Sequence, residues 1–292
     1  MNDNDYLKQV LASQTLDENS EELKALRKRR DEVEKPLRKS FRSIPKIRYG
    51  GSMAKGTMIK ESYDLDVICY SPHDSTIAGE TLEDIYNNVC TALEKDYFVD
   101  RKTSALRLRS RDPENYQADF HIDVVPGRYI DDTETDVFLH QEGSTKERLK
   151  TNIQIHIDHV KDSGVVETIR LMKLWRVRNN VPVKQFVLDL LTIKLLQDHK
   201  SSSLTSQLKH VWQEFRDHPD ELAVEDPANP NGNDLSDLVE AARWSLSSIA
   251  SSTLITLENG GWEAVFINEE DRKAALRRMA GSVRTPTKPW CG

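Results

Sequence analysis

Residues 50 to 70 read GGSMAKGTMIKESYDLDVICY, a Gly-Gly-Ser turn with Asp64 and Asp66 following it by twelve and fourteen residues counted from Ser52. Each part has its own chemistry. Glycine lets a backbone approach an anion closely, and a helical turn after Gly51 would offer free N–H groups to a triphosphate, with the Ser52 hydroxyl as a further donor. Asp64 and Asp66 stand two apart on an expected strand, which puts both carboxylates on one side with Cα atoms roughly 7 Å apart while Leu65 and Val67 face the core. Neighbouring carboxylates repel, so a pair placed side by side calls for a cation. Two carboxylates can bracket a pair of divalent ions ~3.5–4 Å apart, the arrangement that stabilises attacking and leaving oxygens in phosphoryl transfer. A third ligand from a neighbouring strand is expected in HIDVVP (121 to 126), where Asp123 lies between apolar residues. Asp119, four residues earlier, shares that strand face, and spacing does not choose between them.

Working outward from this stretch, the first half alternates strand and helix. Residues 15 to 42, rich in Glu, Lys, Arg and Leu at helical spacing, predict a long amphipathic helix bent at Pro36. Short alternating segments at 44 to 51, 65 to 70, 105 to 111 and 118 to 125 predict strands of one sheet, and 81 to 98 predicts a helix capped by Thr81. The second half reads as helices at 145 to 161, 164 to 179, 183 to 199, 203 to 217, 234 to 258 and 269 to 280. Within it, FVLDLLTIKLL (186 to 196) is apolar nearly all round, as the centre of a helical lobe would be. A Pro-, Asn- and Gly-rich loop is expected at 217 to 234. The expected organisation is therefore α+β and bilobal: a lobe over 1–143, a helical lobe over 144–284, and a C-terminal tail over 285–292.

Composition narrows the chemistry. The 292 residues carry a formal charge of −7 with 37% hydrophobic content, which disfavours a broad basic face for long nucleic acid but leaves room for a small charged substrate in a locally basic cleft. Cys69, Cys90 and Cys291 lack disulfide or zinc-ribbon spacing, in keeping with a reducing cytoplasm. No apolar run approaches the ~18 residues of a membrane span, and the acidic start MNDNDYLKQ lacks a signal peptide's basic region. The mixed run Arg27 to Arg30 is interleaved with Glu and Asp and reads as a solvated helix face. For Arg107, Arg109 and Arg111, which alternate on one strand face, phosphate contact and a salt-bridged sheet are both open. His121 reads as a strand-face residue.

The Gly-Ser turn, the Asp-x-Asp strand and the later lone Asp resemble the polymerase-β superfamily of nucleotidyltransferases. The blocks at 50 to 70, DVVP (123 to 126), ETIRLMKLWRVRN (167 to 179), KQFVLDLLTIKLL (184 to 196) and DPANPNGND (226 to 234) further resemble oligoadenylate synthases and the bacterial CD-NTases, cyclic-oligonucleotide synthases of anti-phage signalling. The likeness is collinear from about residue 15 to 280. It implies a mixed-sheet catalytic lobe facing a helical lobe, and a Mg²⁺-dependent enzyme holding two ions, with Mn²⁺ as an alternative, on Asp64, Asp66 and Asp123. The DVVP context favours Asp123 over Asp119. Gly51 and Ser52 match the phosphate-holding turn, and Lys173 and Gln185 match residues that grip the triphosphate. The implied product is a cyclic or short linear oligonucleotide built from nucleoside triphosphates, ATP among them. Transfer to a small molecule, protein or RNA end, and a non-catalytic binding module, are the alternatives. The zinc insertion of animal cyclic GMP-AMP synthase is missing. The tail TPTKPWCG (285 to 292) ends at Gly292, where a ubiquitin-transfer-like partner acts in some bacterial relatives.

Overall fold

The structure, a computed structural model, describes residues 2–17, 19–111 and 122–267. Helix α1 (Asp3–Ser13) is capped by the Asn2 side chain, and α2 (Glu21–Phe41) by Ser20. Strand β1 (Lys46–Tyr49) leads into the single turn of α3 (Gly51–Lys55), and β2 (Leu65–Ser71) follows. Helix α4 (Leu82–Leu93) starts at a capping box in which Thr81 and Asp84 exchange hydrogen bonds. Next come β3 (Tyr97–Arg101), β4 (Leu106–Ser110), β5 (Ile122–Tyr129), β6 (Val137–His140) and β7 (Arg148–Thr151). The remaining helices are α5 (Ile153–Lys161), α6 (Val166–Arg178), α7 (Gln185–Leu195), α8 (Leu204–Asp217) and α9 (Ser236–Val265), the last broken at Gly261.

The seven strands form one mixed sheet in the order β1-β2-β5-β4-β3, with β6 beside β5 and β7 beside β6. Only the β2–β5 pair is parallel among these described strands. Alternation along the strands decides the layers. Leu65, Val67 and Cys69 of β2, Leu106 and Leu108 of β4, and Ile122 and Val124 of β5 pack on one face with α2 and α4. The opposite face carries Asp66, Ile68 and Tyr70, and a small cluster of Ile68, Tyr70, Tyr129, Val137 and Leu139 closes its far end. Burying each such aliphatic or aromatic side chain contributes about 1.5–3 kcal/mol, which fixes the register that aligns the polar row.

A second core belongs to the helices. Ile169, Met172 and Trp175 of α6, Val187, Leu188 and Leu191 of α7, Leu208, Val211 and Trp212 of α8, and Leu246 and Ala250 of α9 form one cluster. Leu7, Val10 and Leu11 of α1 belong to it too, so the first helix packs with the helical half rather than with the sheet that follows it in sequence.

Some elements differ from the sequence expectation. The long helix begins at Glu21, not 15, and α1 precedes it. The expected helix at 145 to 161 opens as strand β7 because the stretch pairs with β6, and the helix begins only at Ile153. The end of the expected helix at 81 to 98 is β3, paired with β4. The expected helix at 269 to 280, the tail 285–292 with Gly292, and Asp119 and His121 lie outside the described residues.

Candidate active site

The turn between β1 and β2 brings the Gly-Ser pair against the carboxylates. The Gly50 N–H donates to the Asp66 carbonyl at 3.1 Å. Gly51 has φ of +64°, and a Cβ placed on it would lie 1.6 Å from Asp66 Oδ2, so no other residue fits there without moving that carboxylate. Ser52 Oγ is buried with no hydrogen-bond partner among the described residues, an arrangement that calls for an acceptor from outside the chain.

Asp64 immediately precedes β2, and Asp66 is its second residue. In the parallel pair Asp66 stands directly opposite Asp123 of β5, so the two side chains share a face. Burial, with Asp123 and Asp64 as neighbouring negative charges, pushes the Asp66 carboxyl up to about 6, against the opposing pull of Lys55 and Lys173. Asp123 is held by Arg107 of β4, whose Nε and guanidinium nitrogen donate to its two oxygens at 2.9 and 2.8 Å. Among the described residues no three His, Cys, Asp or Glu side chains are arranged so as to hold a metal ion. Three carboxylates without a cation repel, and the fold answers by giving one of them to an arginine. The donor set is nevertheless of oxygen ligands only, the chemistry that a hard divalent cation takes.

The helical half supplies the opposite charge. A cavity of about 660 Å³ is lined by Gly51, Ser52, Lys55, Asp64 and Asp66 on one side and by Lys173, Arg176, Lys184, Gln185 and Asp189 on the other. Lys173 is only 4% exposed. Burial lowers its pKa, while Asp64 and Asp189 act to raise it. Gln185 opens α7 and donates from Nε2 to Asp189 Oδ1 at 2.7 Å. Asp189, the lone acid of the apolar α7 face, is 3% exposed, and burial raises its pKa. Lys55 Nζ lies 4.0 Å from Asp189 Oδ2 and 5.5 Å from the centre of the Phe186 ring. Phe186 in turn meets His156 edge-on at 5.0 Å. An apolar wall of Ile68, Tyr70, Val125, Leu139 and Leu149 completes the cavity.

Gly51, Ser52, Asp64, Asp66, Lys173 and Gln185 thus line one cavity, and Asp123 sits beside it across from Asp66. Sequence reasoning missed Lys55, Arg176, Lys184 and Asp189. The signal for Asp189 was present, since a single carboxylate inside FVLDLLTIKLL needs buried cationic partners. Of the other two arginines that alternate with Arg107, Arg109 pairs with Asp100 at 2.9 Å, and Arg111 donates to backbone carbonyls of Glu94 and Tyr97. The basic run on α2 pairs locally, Lys28 and Arg29 with Glu32 and Arg30 with Asp31.

The family described as nucleotidyltransferase domain matches residues 26–205, more than half of the chain. The chain belongs to the nucleotidyltransferase domain family. This nucleotidyltransferase is 26% identical over 179 residues to the cyclic AMP-AMP-AMP synthase of Escherichia coli strain MS 115-1, covering 53% of this chain and 51% of that protein. The match therefore spans about half the length of that curated relative. Its fold is shared with E. coli MS115-1 CdnC with ATP, at a TM-score of 0.66 and 17% identity over 91% of this chain and 98% of the other. It is shared equally with the Bradyrhizobium diazoefficiens CD-NTase CdnG in complex with GTP, at a TM-score of 0.62 and 14% identity over 95% and 97%. The polymerase-β-like, mixed-sheet α+β architecture expected for the nucleotidyltransferase is the observed one. No helix among the described residues is long and apolar enough to cross a membrane.

Proposed function

We propose that this nucleotidyltransferase joins nucleoside triphosphates, ATP among them, into a cyclic or short linear oligonucleotide. Pyrophosphate is released, and the product serves as a cytoplasmic second messenger in anti-phage defence. One observation carries the reading: the Gly51–Ser52 turn and the Asp64/Asp66 pair of the sheet face Lys173, Arg176, Lys184 and Gln185 of the helices across a single cavity. Polyanion binding and carboxylate chemistry meet there. The names of the relatives, a cyclic AMP-AMP-AMP synthase and CD-NTases holding ATP or GTP, support the same substrate class.

In this reading Asp64, Asp66 and Asp123 would hold two Mg²⁺ ions, with Mn²⁺ as substitute, which would supply charge neutralisation for the triphosphate and acidify the attacking hydroxyl. Gly51 lets the backbone reach the phosphates, Ser52 Oγ donates to one of them, and Lys173 and Arg176 balance their charge. Gln185, which accepts from Arg176 and donates to Asp189, would meet the same phosphates. A ribose hydroxyl of one nucleotide attacks the α-phosphorus of another. The new O–P bond forms as the bridging P–O bond to the β-phosphate breaks, pyrophosphate leaves with that electron pair, and Asp123 would accept the hydroxyl proton. Repetition on the product, ending with attack on its own triphosphate, closes a ring. A partner of the ubiquitin-transfer type acting on Gly292 belongs to the same proposal.

The test is incubation with all four triphosphates and Mg²⁺, phosphatase treatment, and mass spectrometry. Phosphatase-resistant oligonucleotides from wild type and none from Asp66→Asn are expected. Synthesis retained by the variant, or product formed only when a separate acceptor molecule is supplied, would defeat the reading.

A further inference from the structure

The segment that joins α3 to β2 runs from the phosphate turn to Asp64, yet its middle is held by the helical half. Ile59 is fully buried and belongs to the helical core, not to the core under the sheet. The Lys60 N–H donates to the Gln14 carbonyl at 2.9 Å, and the Glu61 N–H donates to Gln14 Oε1 at 3.1 Å. The Glu61 carboxylate accepts a fork from Arg178, the last residue of α6: Nε donates to Oε2 at 2.9 Å and Nη2 to Oε1 at 2.6 Å. Gln14 Nε2 donates to the same Oε1 at 2.7 Å. The third nitrogen of the guanidinium, Nη1, donates to the Phe266 carbonyl at 2.6 Å and the Ile267 carbonyl at 3.1 Å, where α9 ends. The Arg178 side chain is 13% exposed, so this is a bidentate, charge-assisted pair partly shielded from water. Its hydrogen bonds hold the Glu61 carboxyl below the usual carboxylate range against the opposing effect of burial.

We propose that Arg178 and Glu61 are a positioning pair for the reaction: their fork ties the segment that carries Asp64 to the helix that presents Lys173 and Arg176. The proposal rests on the nucleotidyltransfer reading, which gives Asp64 its part in the chemistry. Its logic is geometric. Strand β2 begins at Leu65, so the sheet ladder starts one residue after Asp64, whose place depends on the segment before it. Helix α6 acts on that place from the other half. Lys173 and Arg176 line the cavity from it, while Arg178 leaves another face of the same helix to grip Glu61. The groups that meet the triphosphate and the carboxylate that acts on it are thereby held in one frame. Misplacement of reacting groups by about 1 Å costs on the order of a hundredfold in rate, so a pair that touches no substrate still governs turnover.

The test uses the full chain with Glu61→Ala, Arg178→Met and both together, assayed for initial rates of product formation and, by calorimetry, for ATP affinity. A positioning role predicts kcat lowered by roughly tenfold or more, with ATP affinity within about twofold of wild type because Ser52, Lys173 and Arg176 are untouched. The double variant should lose no more than the worse single one, as two residues acting through one contact require. Glu61→Gln, which still accepts from Arg178 but without the charge, should recover part of the rate. Hydrogen exchange locates the effect: amides of residues 58–64 should exchange faster, while those of β5 and α7 keep their protection. Melting curves establish that each variant is folded; should Arg178→Met not fold, Glu61→Ala decides, since it leaves the Arg178 bonds to the end of α9 in place. Wild-type kcat in folded Glu61→Ala, or a loss of kcat matched by an equal loss of ATP affinity, overturns the proposal and leaves the nucleotidyltransfer reading intact. No product from wild type overturns that reading and the proposal with it.

Discussion

Gly51→Ala is the smallest change with the largest expected consequence. The added methyl group must live at φ of +64°, a left-handed conformation that costs a non-glycine residue about 1–2 kcal/mol. Its Cβ would also fall 1.6 Å from Asp66 Oδ2 and 2.6 Å from Asp66 Cγ, well inside van der Waals contact. The relief available is rotation of the Asp66 side chain, since the backbone on both sides is tied by the Gly50 N–H to Asp66 carbonyl bond. Rotation spares the fold and removes the carboxylate from its place opposite Asp123. The expected stability loss is therefore modest, about 1–3 kcal/mol, or several degrees in Tm, whereas product synthesis should fall on the order of a hundredfold or more through loss of preorganised geometry. Thermal melts and a mass-spectrometric product assay on the same preparation separate the two. A folded Gly51→Ala protein that retains a third or more of wild-type synthesis would refute the argument that this glycine exists to seat Asp66.

Other substitutions test other parts of the site. In chelator at pH 7, Asp66→Asn should raise stability by up to about 3 kcal/mol while abolishing synthesis, because an acid raised to about 6 in the fold penalises the folded state once ionised. By the same sign, metal-free wild type should gain stability as pH falls from about 7 towards 4 through this group, and a variant that melts no higher than wild type in chelator would contradict it. Lys173→Met exchanges a buried, desolvated ammonium for an apolar side chain of similar length; calorimetry should show ATP binding weakened by roughly tenfold or more, with a lowered melting temperature because buried Asp189 loses one of its cationic neighbours. Ser52→Ala removes a buried hydroxyl without a partner, so the ligand-free protein should be as stable or about 0.5–1 kcal/mol more so, with ATP affinity reduced several-fold; unchanged affinity would mean that the hydroxyl does not meet the phosphates.

The parts legible from sequence were those whose constraint is local. Gly51, Asp64 and Asp66 lie within one strand-turn unit, and the alternation of Leu65 and Val67 with Asp66 already says which side faces the cavity. Strand β7 was not legible, because KERLK has good helical propensity and only its pairing with β6 overrides it. Helix α1 was missed for a related reason: Leu7, Val10 and Leu11 acquire meaning only against a helical core assembled from residues more than 150 positions away. At the site, the cationic wall was half visible. Lys173 and Gln185 stood in recognisable blocks, whereas Lys55 and Arg176 are ordinary surface types until the fold turns them inward. The Arg107 clamp on Asp123 follows from strand order, which alternating residues alone do not encode.

The placement of α1 also ties the two halves together. The chain starts among the helices and crosses to the sheet side between α1 and α2. At that crossing the Gln14 carbonyl accepts from the Lys60 N–H, its side chain exchanges hydrogen bonds with Glu61, and Glu61 accepts both prongs of the Arg178 guanidinium. A polar joint thus ties the end of α1 and Arg178 of α6 to the segment between α3 and β2. Removing α1 together with Gln14 would take away both the helical packing of Leu7, Val10 and Leu11 and the bonds that hold Glu61 in place.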